Sequence, residues 1–268
     1  MVTRTETTSI ILAAGRGSRM KEFDGNKTLL PLVPGKSFNE GNHPILLQIL
    51  ANLPPGPKAV VVNYKMTDVM DATRGLDITY CEQPELNGTG GGLLAARAFL
   101  EEHGCNQLII TMGDVPFVKS STYDELLKKL EYKSLVVLGF RPESKKKYGV
   151  LEIEGDQVRK ITEWEYWKTY PEKKQQTLDI CNSGIYAARK DDLIPYFSVL
   201  AAQPHRVQKR INGKPCEVEE FFITDLVEYM GDDGLRVGYI LAEDEEEVMG
   251  VDDLHALTRA QELFRIRN

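Results

Sequence analysis

The chain has 268 residues, 42% of them hydrophobic and 27% charged, with a formal net charge of −7. That length suits one large α/β domain or two small ones, and the acidic balance argues against a general nucleic-acid binder while leaving room for a local basic site. No apolar run approaches the ~18 residues of a membrane span, and Met1-Val2-Thr3-Arg4-Thr5-Glu6 lacks the apolar core of a secretion signal.

Apolar runs bounded by turn residues predict strands at Ser9–Ala13, Ala59–Asn63, Ile78–Cys81, Leu108–Met112 and Leu135–Phe140, with amphipathic stretches between them. Such alternation predicts an α/β fold, a Rossmann-like, mostly parallel sheet flanked by helices. Right-handed crossovers bring the C-terminal ends of parallel strands to one rim, so Gly15, Gln83 and Asp114, each just past a strand, are expected to converge there. Gly35–His43 reads as a loop before a helix Ile45–Asn52, and Thr122-Tyr123-Asp124-Glu125 reads as a capping box opening a helix through Leu130.

The character changes after about Arg141, which divides a single domain into halves 1–140 and 141–268. Lys145-Lys146-Lys147 reads first as a solvated loop and second as a phosphate contact. Tyr148–Glu154 and Gln157–Thr162 flank Gly155-Asp156 as an added β-hairpin, and the aromatic, charged run Glu163–Gln176 has no clean period and reads as a mobile lid. A strand over Thr177–Ala188, helices around Asp191–Ala202 and Glu219–Met230, a strand Leu235–Leu241, a solvated acidic edge Glu243–Glu247 and a helix Asp253–Arg265 complete the chain. Cys81, Cys105, Cys181 and Cys216 form no C-x-x-C, and the four histidines form no ligand spacing, so the thiols read as reduced, in a cytoplasmic protein, and no zinc site is expected.

Three stretches carry chemistry. Ser9-Ile10-Ile11-Leu12-Ala13-Ala14-Gly15-Arg16-Gly17-Ser18-Arg19-Met20, followed by Lys27, is a buried strand running into a small-residue turn with cations beyond it. Backbone N–H groups there can approach a polyphosphate, and Arg16, Arg19 and Lys27 can neutralise it. A Walker A motif is absent, and Met20 stands where the third glycine of a dinucleotide fingerprint belongs; a lone glycine pair fits an ordinary strand-to-loop turn equally well. Gln83 and Gly88-Thr89-Gly90-Gly91-Gly92 offer an amide for the imide edge of a pyrimidine, beside exposed N–H groups, or else a glycine-rich turn. Met112-Gly113-Asp114-Val115-Pro116 holds a carboxylate just past a strand, as a sparse Mg²⁺ ligand or as a helix cap.

Leu12 to Met20, with Lys27-Thr28-Leu29-Leu30-Pro31-Leu32-Val33-Pro34-Gly35-Lys36, resembles the opening signature of the sugar-phosphate nucleotidylyltransferase family, and the resemblance extends over nearly the whole chain. The likeness is closest to the uridylyltransferase domain that acts on N-acetylglucosamine 1-phosphate in a bacterial bifunctional enzyme; the hexapeptide repeats of that enzyme's acetyltransferase domain are missing, so no acetyl transfer is expected. The resemblance implies a nucleoside triphosphate, most simply UTP, and a sugar 1-phosphate as partners, with Mg²⁺ as cofactor. It implies nucleotide contacts from Leu12, Ala13, Ala14, Gly15, Gly17, Gln83, Gly88 and Thr89, catalytic cations Arg19 and Lys27, sugar contacts from Gly113, Gly149, Glu163 and Asn182, and metal ligation by Asp114 and Asp252. On this reading residues 1–140 bind the nucleotide and 141–268 the sugar phosphate.

Two departures stand out. Asp252 replaces the asparagine of the family's G-V-N-N, which keeps an oxygen donor and adds a charge, and Trp164 follows Glu163 where several relatives carry a phosphate-binding lysine, leaving Lys168 as a candidate substitute. A cytidylyl- or thymidylyltransferase and a non-catalytic nucleotide-sugar sensor remain the rival readings.

Overall fold

The computed structural model describes residues 7–15, 20, 23–211 and 214–267. Thirteen strands follow in chain order among these residues: β1 (Thr7–Leu12), β2 (Pro31–Pro34), β3 (Gly41–Pro44), β4 (Lys58–Val62), β5 (Thr79–Glu82), β6 (Gln107–Met112), β7 (Leu135–Phe140), β8 (Val150–Glu154), β9 (Gln157–Thr162), β10 (Cys181–Arg189), β11 (His205–Ile211), β12 (Lys214–Glu220) and β13 (Val237–Leu241). The main sheet has the order β13-β7-β10-β6-β1-β4-β5, with β8 and β9 joined to it through β10. β4, β5 and β6 run parallel to their neighbours around β1, β13 runs parallel to β7, and β10 is antiparallel to both β6 and β7. The rim therefore collects the C-terminal ends of six strands and the N-terminal end of β10.

Period-2 alternation explains why the sheet is covered on both faces. Ile10, Val61, Ile110 and Val137 point into one apolar layer, where Leu93, Phe99, Phe197 and Leu226 cover them. Ile11, Val60, Ile109 and Val136 point into the other, under Leu46, Ile49, Tyr123, Leu126 and Leu257. The α/β architecture, the helix Ile45–Asn52 and the hairpin β8–β9 agree with the sequence reading.

Elsewhere the structure departs from that reading. Part of the expected loop Gly35–His43 is strand, because β3 pairs with β2. The helix expected at Thr122 starts at Ser120, and the Thr122 hydroxyl bonds to Glu247 rather than capping its own helix. The helix expected from Glu219 starts at Asp225, since Glu219 and Glu220 belong to β12, paired with β11 in a separate two-stranded hairpin. The strand expected from Thr177 begins at Cys181, after a short helix Glu172–Thr177. The acidic run Glu243–Glu247 is not all solvated, as Glu247 is fully buried.

Candidate active site

Arg16, Gly17 and Arg19 lie outside the described residues. Leu12 O accepts from Gly113 N at 2.9 Å and Ala13 N donates to Val61 O at 2.9 Å, so Leu12, Ala13 and Ala14 lie where β1, β4 and β6 end together. Gly15 has open space where a side chain would stand. Gly113 packs tightly; a Cβ there would stand 2.9 Å from Leu12 O and 3.0 Å from Ala13 Cβ and Thr28 Cγ2. Its nearest neighbours are thus Leu12, Ala13 and Thr28, not the other three residues expected at the sugar.

Asn26 organises this end, although no motif in the sequence singles it out. It is 1% exposed. Its Nδ2 donates to Tyr64 O at 3.0 Å and Ala13 O at 3.3 Å, and its Oδ1 accepts from Thr28 N at 3.0 Å and Thr28 Oγ1 at 2.8 Å. Asn26 therefore caps the single 3-10 turn Lys27–Leu29 and ties it to the ends of β1 and β4. An asparagine directly before Lys27 is the one available signal.

That turn delivers the Lys27 ammonium onto Asp114 Oδ2, with the two side chains 18% and 13% exposed. Val251 N donates to Asp114 O at 2.8 Å, and a Cβ on Gly250 would stand 4.0 Å from Asp114 Oδ2. The loop bearing Asp252 therefore abuts the one bearing Asp114. No group of three or more acidic, histidine or cysteine ligands occurs among the described residues. Two hard carboxylates on touching loops still suit Mg²⁺, which takes few protein ligands and completes its shell with phosphate oxygens and water. The donor set fits that ion, and the Lys27 contact shows that this position accepts a positive charge.

At the base end, Gln83 is 5% exposed and its Nε2 donates to Asn87 Oδ1 at 2.9 Å and Gly88 O at 3.1 Å. A carbonyl can only accept, so the Gly88 contact fixes the orientation of the amide. Both N–H groups are thus spent inside the protein, and only Oε1 is left for a base; the donor-plus-acceptor role expected of Gln83 is narrowed to acceptor. Gly88 has φ +93° and faces the Phe221 carbonyl so closely that no side chain fits. Thr89 Oγ1 accepts from Ile223 N at 3.3 Å. Phe221 N donates to Asn87 O and Gly90 N donates to Phe221 O, both at 2.8 Å.

Three of the four residues expected at the sugar, Gly149, Glu163 and Asn182, come together. Asn182 N donates to Gly149 O at 2.8 Å, and a Cβ on Gly149 would lie 3.4 Å from Glu163 Oε2. Asn182 stands at a bulge in β10, where its Oδ1 accepts from Gly184 N at 3.0 Å and its Nδ2 donates to Tyr186 OH at 2.8 Å. Burial holds the Glu163 carboxyl above its ordinary range, with Asp225 adding to the effect and the Thr224 hydroxyl and His205 opposing it. Thr224 Oγ1 donates to Glu163 Oε1 at 3.1 Å, and the next residue, Asp225, pairs with His205 Nε2 at 2.8 Å. Segment 221–225 is therefore a strap with one end on the Gly88 turn and the other on Glu163. A helical reading of its sequence conceals this.

The run 163–176 forms no free lid in this structure. Trp167 is 6% exposed and donates from Nε1 to Tyr148 O at 2.8 Å. Glu152 accepts from Thr162 at 2.6 Å and Tyr170 at 3.0 Å and pairs with Lys174 at 3.0 Å, bolting the run to β8. Lys168 pairs with Glu165 and rests 4.1 Å from the centre of the Trp164 ring, with Lys147 over the same ring at 4.6 Å. Two clefts of about 370 and 430 Å³ open at the opposite rim and share none of these residues.

A mostly parallel sheet whose rim gathers a cation–carboxylate pair, a glycine-rich turn and a polar pocket has the layout of a nucleotide-handling α/β protein. The chain belongs to the MobA-like NTP transferase domain family, whose model matches residues 9–194. It is, accordingly, a nucleotidyltransferase. Among curated relatives, the bifunctional protein GlmU of Rhodopseudomonas palustris is 32% identical over 273 aligned residues, covering 100% of this chain and 54% of that protein. GlmU of Sphingopyxis alaskensis is 32% identical, covering 94% and 51%. The chain thus spans about half the length of these relatives. A solved Bacillus anthracis protein, assigned as a glucose-1-phosphate thymidylyltransferase and crystallised with sucrose, superposes with a TM-score of 0.69 at 20% identity over 98% of this chain and 96% of its own. A nucleotidyl transferase from Methanothermobacter gives 0.63 at 19% identity, covering 98% and 99%. At such identities these structures speak to the fold alone. No helix among the described residues is long and apolar enough to cross a membrane.

Proposed function

We propose that this chain transfers a uridylyl group from UTP to a hexose 1-phosphate, N-acetylglucosamine 1-phosphate in the first instance, releasing pyrophosphate. The observation that carries this reading is the strap 221–225, which joins the turn beside Gln83 to Glu163 and so makes a base pocket and a hydroxyl pocket parts of one site. The GlmU relatives support the choice of reaction.

The base argument rests on the single oxygen that Gln83 retains. Uracil and thymine present an N3–H donor to such an acceptor, whereas cytosine offers it only the exocyclic N4–H₂, its N3 carrying a lone pair. Triphosphate oxygens lie on the turn Leu12 to Gly15, with Lys27 and Arg19 as neutralising cations. The sugar hydroxyls meet Glu163, Asn182 and the Gly149 backbone.

The phosphate of the sugar is already an anion, so the attack on the α-phosphorus needs no strong base. The obstacle is charge. Two unit charges at ~4 Å repel by about 4 kcal/mol at an effective dielectric of 20, and several meet here. The Asn26 cap fixes the backbone of the turn that carries Lys27 before substrate arrives, so only the ammonium has to pass from Asp114 to the phosphates. Asp114 and Asp252 would hold Mg²⁺, which when bound supplies further charge neutralisation at the phosphates. The strap and the Asn182–Gly149 bond keep the acceptor sugar oriented toward the nucleotide, which lowers the entropic part of the barrier.

A pyrophosphate-release screen of sugar 1-phosphates against UTP, dTTP, CTP and GTP, with and without Mg²⁺, tests the proposal. UTP with N-acetylglucosamine 1-phosphate is expected to be the fastest pair. Turnover confined to CTP, or UTP binding with no turnover on any sugar phosphate, would contradict it.

A further inference from the structure

The loop after β13 runs through Glu243-Asp244-Glu245-Glu246-Glu247 and ends at Gly250-Val251-Asp252. Glu247 differs from its acidic neighbours in being fully buried. Its Oε1 accepts from Lys119 N at 3.2 Å and from the Thr122 hydroxyl. Its Oε2 has no hydrogen-bond partner among the described residues. A buried carboxylate with one unsatisfied oxygen is costly, and such a group calls for an explanation beyond packing.

Its position supplies one. Lys119 and Thr122 begin the ten-residue helix Ser120–Lys129, whose N-terminus favours a negative charge. The same segment starts at Asp114. The loop meets it again where Val251 N donates to Asp114 O at 2.8 Å, and Val248 and Val251 are buried in the same apolar layer as Val115 and Phe117. Glu243 adds an exposed pair with the Lys119 ammonium. The two loops that carry Asp114 and Asp252 are thus fastened at three points, the backbone bond at Asp114, the carboxyl group of Glu247 and the exposed Glu243–Lys119 pair.

We infer that Glu247 is a positioning residue for the carboxylate pair: it pins the loop 242–253 to the start of the helix and so presets Asp252 against Asp114. The inference rests on the proposed metal role of those two aspartates. Without Glu247, the Val251 bond and the buried valines still dock the loop, so the chain folds, but Asp252 samples a wider range of positions and loses metal affinity. Residues that orient metal ligands in this way typically change affinity ~10–100-fold when removed.

The test is a titration of the full chain with Mn²⁺ alone, the free ion being counted by electron paramagnetic resonance. Glu247→Ala is expected to weaken binding ~10–100-fold, and Glu247→Gln, which keeps an oxygen for Lys119 N and Thr122, to recover most of that loss. Thr122→Val, which removes one of the two donors and leaves the loop's packing intact, is expected to weaken binding by less, and it carries the test if Glu247→Ala does not fold. In an Asp252→Ala background, Glu247→Ala should add nothing. A folded Glu247→Ala with unchanged affinity, or losses from Glu247→Ala and Asp252→Ala that multiply, would overturn the inference while leaving the metal reading intact. Unchanged affinity in Asp252→Ala would overturn both.

Discussion

At the phosphate end of the candidate site, main-chain groups of β1, β4 and β6 bond to one another, and the charged side chains described there are few, chiefly Lys27 and Asp114. At the sugar end, side chains bond to side chains, from Thr224 to Glu163 and from His205 to Asp225, with Asn182 and Tyr186 beside them. The first is a backbone cradle in which shape is fixed by strands. The second is a polar network in which each member holds another. The difference teaches where a substitution acts: at the first end one changed charge removes a chemical role, and at the second it loosens a geometry.

The largest effect is expected at Asp114. Asp114→Ala should abolish Mg²⁺-dependent pyrophosphate release, a loss of more than ~10³-fold, because both the proposed metal ligand and the partner of Lys27 disappear. Activity that follows the wild-type curve across a Mg²⁺ titration would break the contrast. Lys27→Ala comes next, with ~10²–10³-fold lower turnover in the same assay, the usual cost of removing one preorganised charge or donor.

Glu163→Gln sharpens the other side of the comparison. It is expected to raise the KM for the sugar phosphate ~10-fold or more while leaving the KM for the nucleotide unchanged, since bonds to a charged group contribute about 1.5–3 kcal/mol. Stability should move the opposite way. Burial raises the Glu163 carboxyl above its ordinary 4.5, so the folded chain binds this proton more tightly than the unfolded chain does. The stabilisation that protonation brings is complete below the unfolded value and is lost as pH rises through the raised folded value. At pH 7 the charged form is therefore a burden that glutamine lacks. The variant should melt at a higher temperature than the parent at pH 7, and the gap should close as the pH falls toward 4; a gap that widens on acidification would refute this.

The smallest effects separate two glycines. Gly88→Ala should destabilise the fold by ~1–3 kcal/mol in denaturant unfolding, because its φ of +93° and the Phe221 carbonyl leave no room for a methyl group. Gly15→Ala should leave stability within ~0.5 kcal/mol, as open space surrounds it, yet raise the KM for the nucleotide. Equal stabilities for the two variants would remove the structural distinction drawn between them.

The buried strands and their order of appearance could be read from the sequence because parallel strands covered on both faces are nearly continuous apolar runs. Lys27, Asp114, Gly149, Glu163 and Asn182 were legible as types in the right surroundings. That Lys27 meets Asp114, and Gly149 meets Glu163 and Asn182, became visible only in the fold. The hairpin β11–β12 escaped because none of its described side chains is buried, which weakens the period-2 signal. Glu247 escaped because one buried acid in a run of five looks the same as its solvated neighbours. The strap escaped because hydrogen bonds from Phe221, Ile223 and Thr224 reach residues 61 to 134 positions away, and no local pattern reports them.

The claim on which the account turns is that Asp114 and Asp252 share one divalent ion beside the nucleotide. A crystal of the full chain grown with Mn²⁺ and a non-hydrolysable UTP analogue, measured at the manganese absorption edge, tests it directly. The account predicts one anomalous peak within coordination distance of both carboxylates. A peak bound by phosphates alone, with Lys27 still on Asp114 and Asp252 turned away, would contradict it.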